Sequence, residues 1–277
     1  MFSLLSRSWQ LVRESFTVLE KDKEILLFPL VSGIALVLLA VSFILPVIFS
    51  AASSGITVAL AAWFFVLYYI ASFIVIFFNT GLVTCAKIRL TGGDPMFSDG
   101  IRNAVRHLPS IIVWAAIAAT VGLVLRLISE RSGLIGKIVV GIIGVVWSLI
   151  TYFVIPVLVF EEKGVIDSIK ASASYFRKTW GETVIGQVSI GLIFFLLLLA
   201  GAVPVILTLF AGNMTLFVAV SAVFIVYALI VLIISSALQG IFSTALYLYA
   251  STGKVPTAFT PELVANAFAP KGGHGNI

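Results

Sequence analysis

The sequence predicts an all-α, polytopic membrane protein with six transmembrane helices. Hydrophobic residues make up 61% of the 277-residue chain and charged residues only 10%, whereas soluble domains carry about 25% charged residues. Four stretches contain no Asp, Glu, Lys, Arg or His, and they cover residues 25–86, 108–125, 138–160 and 183–253. Because one span takes about 20 apolar residues, the first and last stretches hold two spans each and the middle stretches hold one each.

Charged residues and turn signals between the apolar runs place the spans in order. We predict spans at residues 25–49, 57–85, 109–128, 136–160, 184–210 and 215–250. The links at 50–56 and 211–214 carry no charge, so each joins the two spans of a hairpin. We treat residues 1–256 as one membrane domain and expect residues 257–277 to form a cytoplasmic tail that is partly disordered.

The basic residues are distributed unequally between the two ends of the spans. Fourteen of the 17 Lys and Arg residues lie in the segments 1–24, 86–108, 161–182 and 251–277. Cytoplasmic loops are enriched in Lys and Arg, so we expect a multi-pass protein of the cell (inner) membrane with both termini in the cytoplasm. The net charge of +5 therefore indicates contact with anionic lipid headgroups rather than with nucleic acid.

An amphipathic helix is predicted before the first, third and fifth spans. Apolar residues recur at steps of three and four within residues 2–19, and the pattern returns at 166–180 and less completely at 97–108. An interfacial helix, a span, a short turn and a second span thus occur three times, as parallel hairpin repeats. The apolar faces of these interfacial helices include Trp9, Phe16, Phe97, Ile101, Phe176 and Trp180.

Two roles are open for the three interfacial helices. Their apolar faces can lie in the acyl boundary, with Lys and Arg directed toward anionic headgroups. Alternatively, they can present a docking surface to a cytoplasmic protein partner. We favour membrane-surface or bundle packing, because two of the three helices lead into a span with little intervening chain.

Three neutral amides fall within the predicted spans, namely Asn79, Gln187 and Gln239. Such amides bridge helices by hydrogen bonds of below about 2 kcal/mol each, or they line a narrow polar path for a solute. No Asp, Glu or His lies within the spans, and the one Lys, Lys137, is the second residue of its span, so no such side chain lies in the interior to relay protons or to pair with a charged substrate. Coupling to protons is therefore not expected.

Prolines and small residues predict the shape and packing of the spans. Pro46, Pro156 and Pro204 each remove a backbone donor and favour a kink. Small residues also recur on one face of the fourth span, where they allow a neighbouring backbone to approach closely. These small residues are Gly141, Gly144, Ser148 and Thr151.

The residue types that carry chemistry are sparse. Cys85 is the single cysteine, and the two histidines, His107 and His274, lie far apart in the sequence. No carboxylate has a His or Cys neighbour at metal-ligand spacing, and no nucleophile is paired with a base. We therefore predict no catalytic residue, no metal, no cofactor and no enzymatic activity.

A longer pattern extends from the end of the fourth span into the fifth. It comprises residues 152–162, followed by 166–170 and 175–181: a span with a proline, two carboxylates, an amphipathic helix and Trp-Gly. The pattern resembles uncharacterised six-span prokaryotic membrane proteins of a domain-of-unknown-function family. It is more distantly similar to the membrane domain associated with glycerophosphodiester phosphodiesterases. The resemblance implies the six-span topology and transfers no catalytic residue, because we expect none of these residues to belong to the soluble catalytic domain that sometimes accompanies the distant relatives.

Two functions from different classes fit these features. The first is a non-catalytic membrane-organising, scaffold or accessory subunit, and the alternative is a permease or channel for a small polar solute. A polar route that touches at least two of Asn79, Gln187 and Gln239 would favour transport. A bundle core filled by Phe, Leu and Gly contacts would favour the scaffold. The sequence does not predict the oligomeric state.

Overall fold

A computed structural model describes residues 13–50, 58–210 and 212–253, and these residues form helices joined by short turns. Helix α1 covers residues 13–21 and a 3-10 turn follows at Lys23–Leu26. The remaining helices are α2 (Leu27–Ser50), α3 (Val58–Leu90), α4 (Phe97–Arg106), α5 (Leu108–Arg131), α6 (Leu134–Ile150), α7 (Val154–Phe160), α8 (Val165–Lys178), α9 (Trp180–Phe210) and α10 (Met214–Thr252). Trp9 and the predicted tail lie outside the described residues.

Six segments of the described chain are long and apolar enough to cross a membrane. They are Lys23–Phe43, Ala62–Leu90, Leu108–Arg131, Leu134–Phe160, Ile190–Phe210 and Met214–Thr252. The predicted all-α class, with six segments long and apolar enough to span a membrane, is thereby confirmed.

Helix α3 continues five residues beyond the predicted end of its span. The prediction ended the span before Lys87, whereas the helix runs on to Leu90 and terminates where Gly92 adopts a φ of 91°. A lysine ends an apolar run but is a good helix former, so the backbone continues its hydrogen bonds past the apolar region. The last turn of α3 consequently carries Lys87 and Arg89 out to the segment that leads into α4.

The fourth span is broken, whereas the sequence predicted one helix across residues 136–160. Helix α6 ends at Ile150, three residues form a turn, and α7 begins at Val154. Pro156 has no N–H to donate to the carbonyl of Tyr152, so the helical ladder is interrupted there. Pro46 and Pro204, in contrast, lie within the continuous helices α2 and α9.

The small-residue face of α6 is not used for close packing by the described residues. A Cβ added at Gly141 would have no described atom within 4 Å, and one at Gly144 would meet only Leu125, at 3.9 Å. Close approach occurs instead at other glycines, including Gly122, where an added Cβ would lie less than 3.0 Å from the Tyr68 side chain. Small residues permit close packing of helices, but they do not determine whether a neighbouring helix packs against that face.

Helix α3 occupies the centre of the bundle, since it contacts α2, α4, α5, α7 and α10. One hydrophobic core joins α1, α2, α3 and α10 to the turn at Phe153, and a second core joins α3, α4, α5 and α7. Helices α9 and α10 form a closely packed hairpin. This arrangement leaves polar residues of α3, α9 and α10 around one cavity.

Candidate functional site

A cavity of about 250 Å³ lies among α2, α3, α9 and α10, and the turn between α6 and α7 completes its wall. All three amides predicted as site residues line it. Asn79 comes from α3, Gln187 from α9 and Gln239 from α10. The structure therefore brings together residues that are separated by up to 160 positions in the sequence.

Hydroxyl groups extend the polar wall of the cavity. Ser32, Ser236 and Ser243 line it together with the amides. The side-chain amide of Gln239 donates a hydrogen bond to the Ser235 hydroxyl, with 3.0 Å between Nε2 and Oγ. This bond fixes the orientation of Gln239 and leaves its carbonyl oxygen as an acceptor at the cavity.

Tyr152 contributes a buried hydroxyl at the same cavity. The Tyr152 Oη lies beside the Gln187 amide, but within the described part of the chain it has no hydrogen-bond partner of good geometry. A buried polar group without a partner costs about 1–3 kcal/mol. A bound molecule that donates or accepts a hydrogen bond at this point would recover that energy.

The break in the fourth span positions Tyr152. The interrupted backbone is satisfied by Ser172 of α8, whose hydroxyl donates to the Ile150 carbonyl at 2.6 Å and accepts from the Phe153 N–H at 3.0 Å. Ser172 is fully buried. These two hydrogen bonds to Ser172 therefore stabilise the turn. The turn directs the Tyr152 side chain to the cavity, whereas a continuous helix would not.

Large side chains fitted against glycines close one end of the cavity. Phe28 is fully buried, and Cβ atoms added at Gly81 or Gly100 would lie less than 3.0 Å from its ring. Leu82 is 2% exposed and packs in the same way against Gly240. We call Phe28 and Leu82 the cavity floor. The floor faces the end of the bundle where α2 begins and α3 and α10 end.

The cavity wall carries no charged side chain among the described residues. The described residues that line it are Phe28, Pro29, Ser32, Val75, Phe78, Asn79, Leu82, Tyr152, Gln187, Ser236, Gln239, Gly240 and Ser243. A charged guest would lose its hydration with no opposite charge to compensate for it. The described wall thus offers neutral hydrogen-bonding groups and apolar surface.

A second polar cluster lies just beyond the fourth span, at Glu161. The Glu161 carboxylate accepts hydrogen bonds from the hydroxyls of Tyr175 at 2.8 Å and Tyr247 at 3.0 Å, and it forms an ion pair with Lys163 at 2.6 Å. Burial acts to raise the pKa of Glu161, but these three donors outweigh burial and hold the pKa below its usual value. Since Tyr175 is on α8 and Tyr247 on α10, this carboxylate joins α8 and α10 at the end of α7.

Two lysines contact aromatic rings of this cluster. The Lys87 ammonium lies 4.0 Å from the ring centre of Phe160, and the Lys178 ammonium lies 5.5 Å from that of Tyr175. Both distances are within the range of cation–π interactions. The lysines therefore sit where the spans end, beside aromatic side chains typical of membrane interfaces.

The predicted interfacial residues fall into two groups. Phe97, Ile101 and Phe176 pack against the hydrophobic core. Phe16 and Trp180 are exposed, at 41% and 64%. Helices α4 and α8 therefore pack on the bundle through part of their apolar faces while Trp180 remains at the surface.

Sequence reasoning selected the three amides but not Tyr152 or the cavity floor. Tyr152 carried one usable signal, which is the proline four residues after it. Nothing in the sequence around Phe28, Leu82 and Gly240 indicates that they close the cavity, because their packing depends on which spans are neighbours. Within the described residues, no three His, Cys, Asp or Glu side chains are placed to hold a metal ion.

The fold and the cavity define a polytopic helical membrane protein with a neutral polar site among its spans. Residues 58–257 match the model of DUF6159, a family of unknown function, and the chain belongs to this family. No curated protein matches the chain significantly. The matched residues include all three amides and Tyr152, whereas Phe28 precedes them.

Proposed function

We propose that the protein is a permease that binds a small, uncharged polar solute in the cavity between α2, α3, α9 and α10. The observation that carries this proposal is the convergence of Asn79, Gln187 and Gln239 on one cavity. Amides from three different spans that met only for packing would satisfy one another. Here they border open space together with the buried hydroxyl of Tyr152, which lies beside Gln187 and forms no hydrogen bond of good geometry with the described residues.

The size and polarity of the cavity limit the solute. Its volume of about 250 Å³ is below the 300–1,000 Å³ typical of sites for drug-sized ligands. Each amide offers both donors and an acceptor, so the wall suits molecules that carry hydroxyl, amide or carbonyl groups. The distant resemblance to the membrane domain of glycerophosphodiester phosphodiesterases supplies no site residue for this function, and the proposal includes no catalysis.

A scaffold or accessory subunit is the second candidate, and the surface of α4 favours it. Met96, which precedes α4, and Val105 within it are 60% and 55% exposed, next to the basic side chain of Arg106. Apolar groups of this kind fit either the acyl boundary beside anionic headgroups or a protein partner. A scaffold does not require the cavity. A Gln187 variant should therefore impair function if the protein is a permease, but not if it is a scaffold.

The proposed setting is the cell membrane, with both termini and the two longer links in the cytoplasm. The unequal distribution of basic residues supports this orientation, and the lysines beside Phe160 and Tyr175 suit contact with anionic lipid. Cysteine labelling of a Cys85→Ser background tests the orientation. Single cysteines at residues 170–175 should react from the cytoplasmic side. Labelling from outside the cell would show that the proposed orientation is wrong.

Solute flux into liposomes that carry the purified protein tests the permease. Stopped-flow light scattering would follow urea, glycerol and formamide, with potassium and chloride as charged controls. Loss of one hydrogen bond of about 1 kcal/mol lowers affinity about fivefold, so Gln187→Leu should reduce flux at least to that extent. Thr120→Val is the matched control, because Thr120 bonds only within its own helix and lies outside the cavity. An absence of flux for every neutral solute would refute transport of these compounds.

A further inference from the structure

The two ends of the cavity differ in exposure. At one end the floor is closed, since Phe28 is 0% and Leu82 2% exposed. At the other end, Val75 is 46% exposed and Ser236 is also exposed. We call Val75 and Ser236 the cavity rim. Among the described residues, the cavity is therefore open at the rim and closed by these two side chains at the floor.

The rim lies at a depth where the surroundings are hydrocarbon. Val75 is about four helical turns from the end of α3 at Leu90, which corresponds to about 22 Å along the axis. Both rim residues lie within segments that are long and apolar enough to span the membrane, namely Ala62–Leu90 and Met214–Thr252. In a bilayer crossed by these two segments, the exposed face beside the rim would meet acyl chains rather than water.

Chemical character changes from the rim to the interior. Val75 and Phe78 offer apolar surface, while the amides of Asn79, Gln187 and Gln239 offer donors and acceptors. A molecule that fits both parts has an uncharged hydrogen-bonding head and an apolar tail. The absence of a charged lining residue among those described excludes an ionised head on energetic grounds.

We propose that the substrate is an uncharged amphiphile, which enters the cavity sideways from the bilayer between Val75 and Ser236. Its head binds the three amides and Tyr152, and its tail leaves past Val75 into the acyl chains. This inference rests on the proposed function in that it uses the same cavity and the same uncharged polar groups. It narrows the proposed solute to one that also carries an apolar tail, and it adds the entrance. A wholly water-soluble solute would instead have to pass the closed floor formed by Phe28 and Leu82.

Photolabelling in lipid nanodiscs tests the inference on the full chain. The probe is hexadecan-1-ol with a diazirine next to the hydroxyl group, and the charged counterpart is hexadecanoate with the same diazirine, at pH 8. The alcohol should label peptides that contain residues 75–82 and 236–243, as located by mass spectrometry. The carboxylate should label them much more weakly.

A pair of rim variants separates sideways entry from other routes. Val75→Trp should block the rim and reduce labelling by the alcohol about fivefold or more, a change that corresponds to the loss of roughly 1 kcal/mol of binding. Val66→Trp is the matched control, since Val66 is also exposed on α3 but does not line the cavity. Both variants change exposed positions, and equal thermal stability of the two would show that folding is retained.

The outcomes distinguish this inference from the permease proposal. Equal labelling by the carboxylate, or labelling that Val75→Trp leaves unchanged, would overturn the amphiphile. If labelling fails while glycerol flux persists and remains sensitive to Gln187→Leu, the permease stands and the substrate class is wrong. If alcohol labelling of the cavity is retained without flux of any solute, the amphiphile site stands and the permease proposal fails.

Discussion

The Ser172 hydroxyl accepts the backbone N–H of Phe153 at 3.0 Å, inside the fourth span. The same hydroxyl donates to the carbonyl of Ile150 at 2.6 Å. One side chain of α8 therefore satisfies both sides of the break that Pro156 imposes. Because Tyr152 lies between these two backbone groups, its position at the cavity depends on a residue 20 positions away.

Ser172→Ala should destabilise the protein by about 1–3 kcal/mol, because it leaves a buried donor and a buried acceptor without partners. Unfolding in a series of detergent mixtures, followed by tryptophan fluorescence, measures this loss. Ser148→Ala is the matched control, since the exposed Ser148 hydroxyl bonds only to Gly144 of its own helix. Equal stability of the two variants would show that α8 does not support the break.

Gly240→Ala should reduce the capacity of the cavity. The added Cβ would lie less than 3.0 Å from Leu82, so the Leu82 side chain must turn into the cavity or the helices must separate. Overpacking of this kind costs about 1–3 kcal/mol. Solute binding and stability should both fall, and a second change, Leu82→Ala, should restore part of each.

Gly191→Ala is the matched control for Gly240→Ala. An added Cβ there meets no described atom within 4 Å, and alanine is favoured over glycine in a helix by about 1 kcal/mol. Gly191→Ala should therefore be neutral or stabilising. A similar loss in both variants would contradict the assigned fit between Leu82 and Gly240.

Phe28→Ala should open the cavity floor. The Phe28 ring is fully buried, lies 4.6 Å from the ring of Phe97 between centroids, and fills the space over Gly81 and Gly100. Its removal should cost about 3–5 kcal/mol in stability and raise the flux of urea and glycerol in liposomes. Phe28→Leu should show a smaller effect in both measurements. Lower flux in a folded Phe28→Ala protein would argue against a closed floor.

Stability should fall at acidic pH through Glu161. The pKa of Glu161 is raised by burial but is lowered further by its bonds to Lys163, Tyr175 and Tyr247, so that the folded value lies below the unfolded one. A depressed carboxyl pKa stabilises the fold above the unfolded pKa, and this contribution is lost as the pH falls through the folded pKa. Thermal unfolding between pH 7 and pH 3 should decline more steeply for the parent protein than for Glu161→Gln. Parallel curves would show that Glu161 does not contribute.

Two arginines should differ strongly in their effect on stability. Arg89 pairs with Asp22 at 3.2 Å and also contacts Asp94, and Asp22 is buried. Burial raises the pKa of Asp22, and Arg89 acts in the opposite direction. Arg89→Met should cost about 2–4 kcal/mol, because it leaves a buried carboxylate without its partner.

Arg106 provides the comparison for Arg89. It pairs with Glu162 at 3.0 Å, and both side chains are mostly exposed, so Arg106→Met should cost less than about 1 kcal/mol. Unfolding in detergent measures both variants side by side. Equal losses would indicate that burial of Asp22 does not determine the strength of the Arg89 pair.

The composition of the chain predicted the number of spans, because transfer of charged groups into hydrocarbon is costly and the uncharged runs have the required lengths. The three amides were found for the same reason, as rare polar side chains within those runs. The break at Tyr152 was only partly predictable. Pro156 indicated a kink, but the free backbone groups are hydrogen-bonded by Ser172, which lies in another helix and is not identified by the local sequence. Contacts such as Leu82 with Gly240 depend on helix neighbours, which periodicity does not determine.

The residues that line the cavity come from two parts of the chain, one inside the family match and one before it. The amide wall and Tyr152 fall within the family match at residues 58–257, whereas Phe28 of the floor belongs to the helix that precedes it. A change in that first helix can therefore deepen or shallow the cavity while the amide wall stays the same. Under the amphiphile proposal, the space available to a head group is thus set partly by a helix outside the family match, whereas the amides that would bind the head group lie within it.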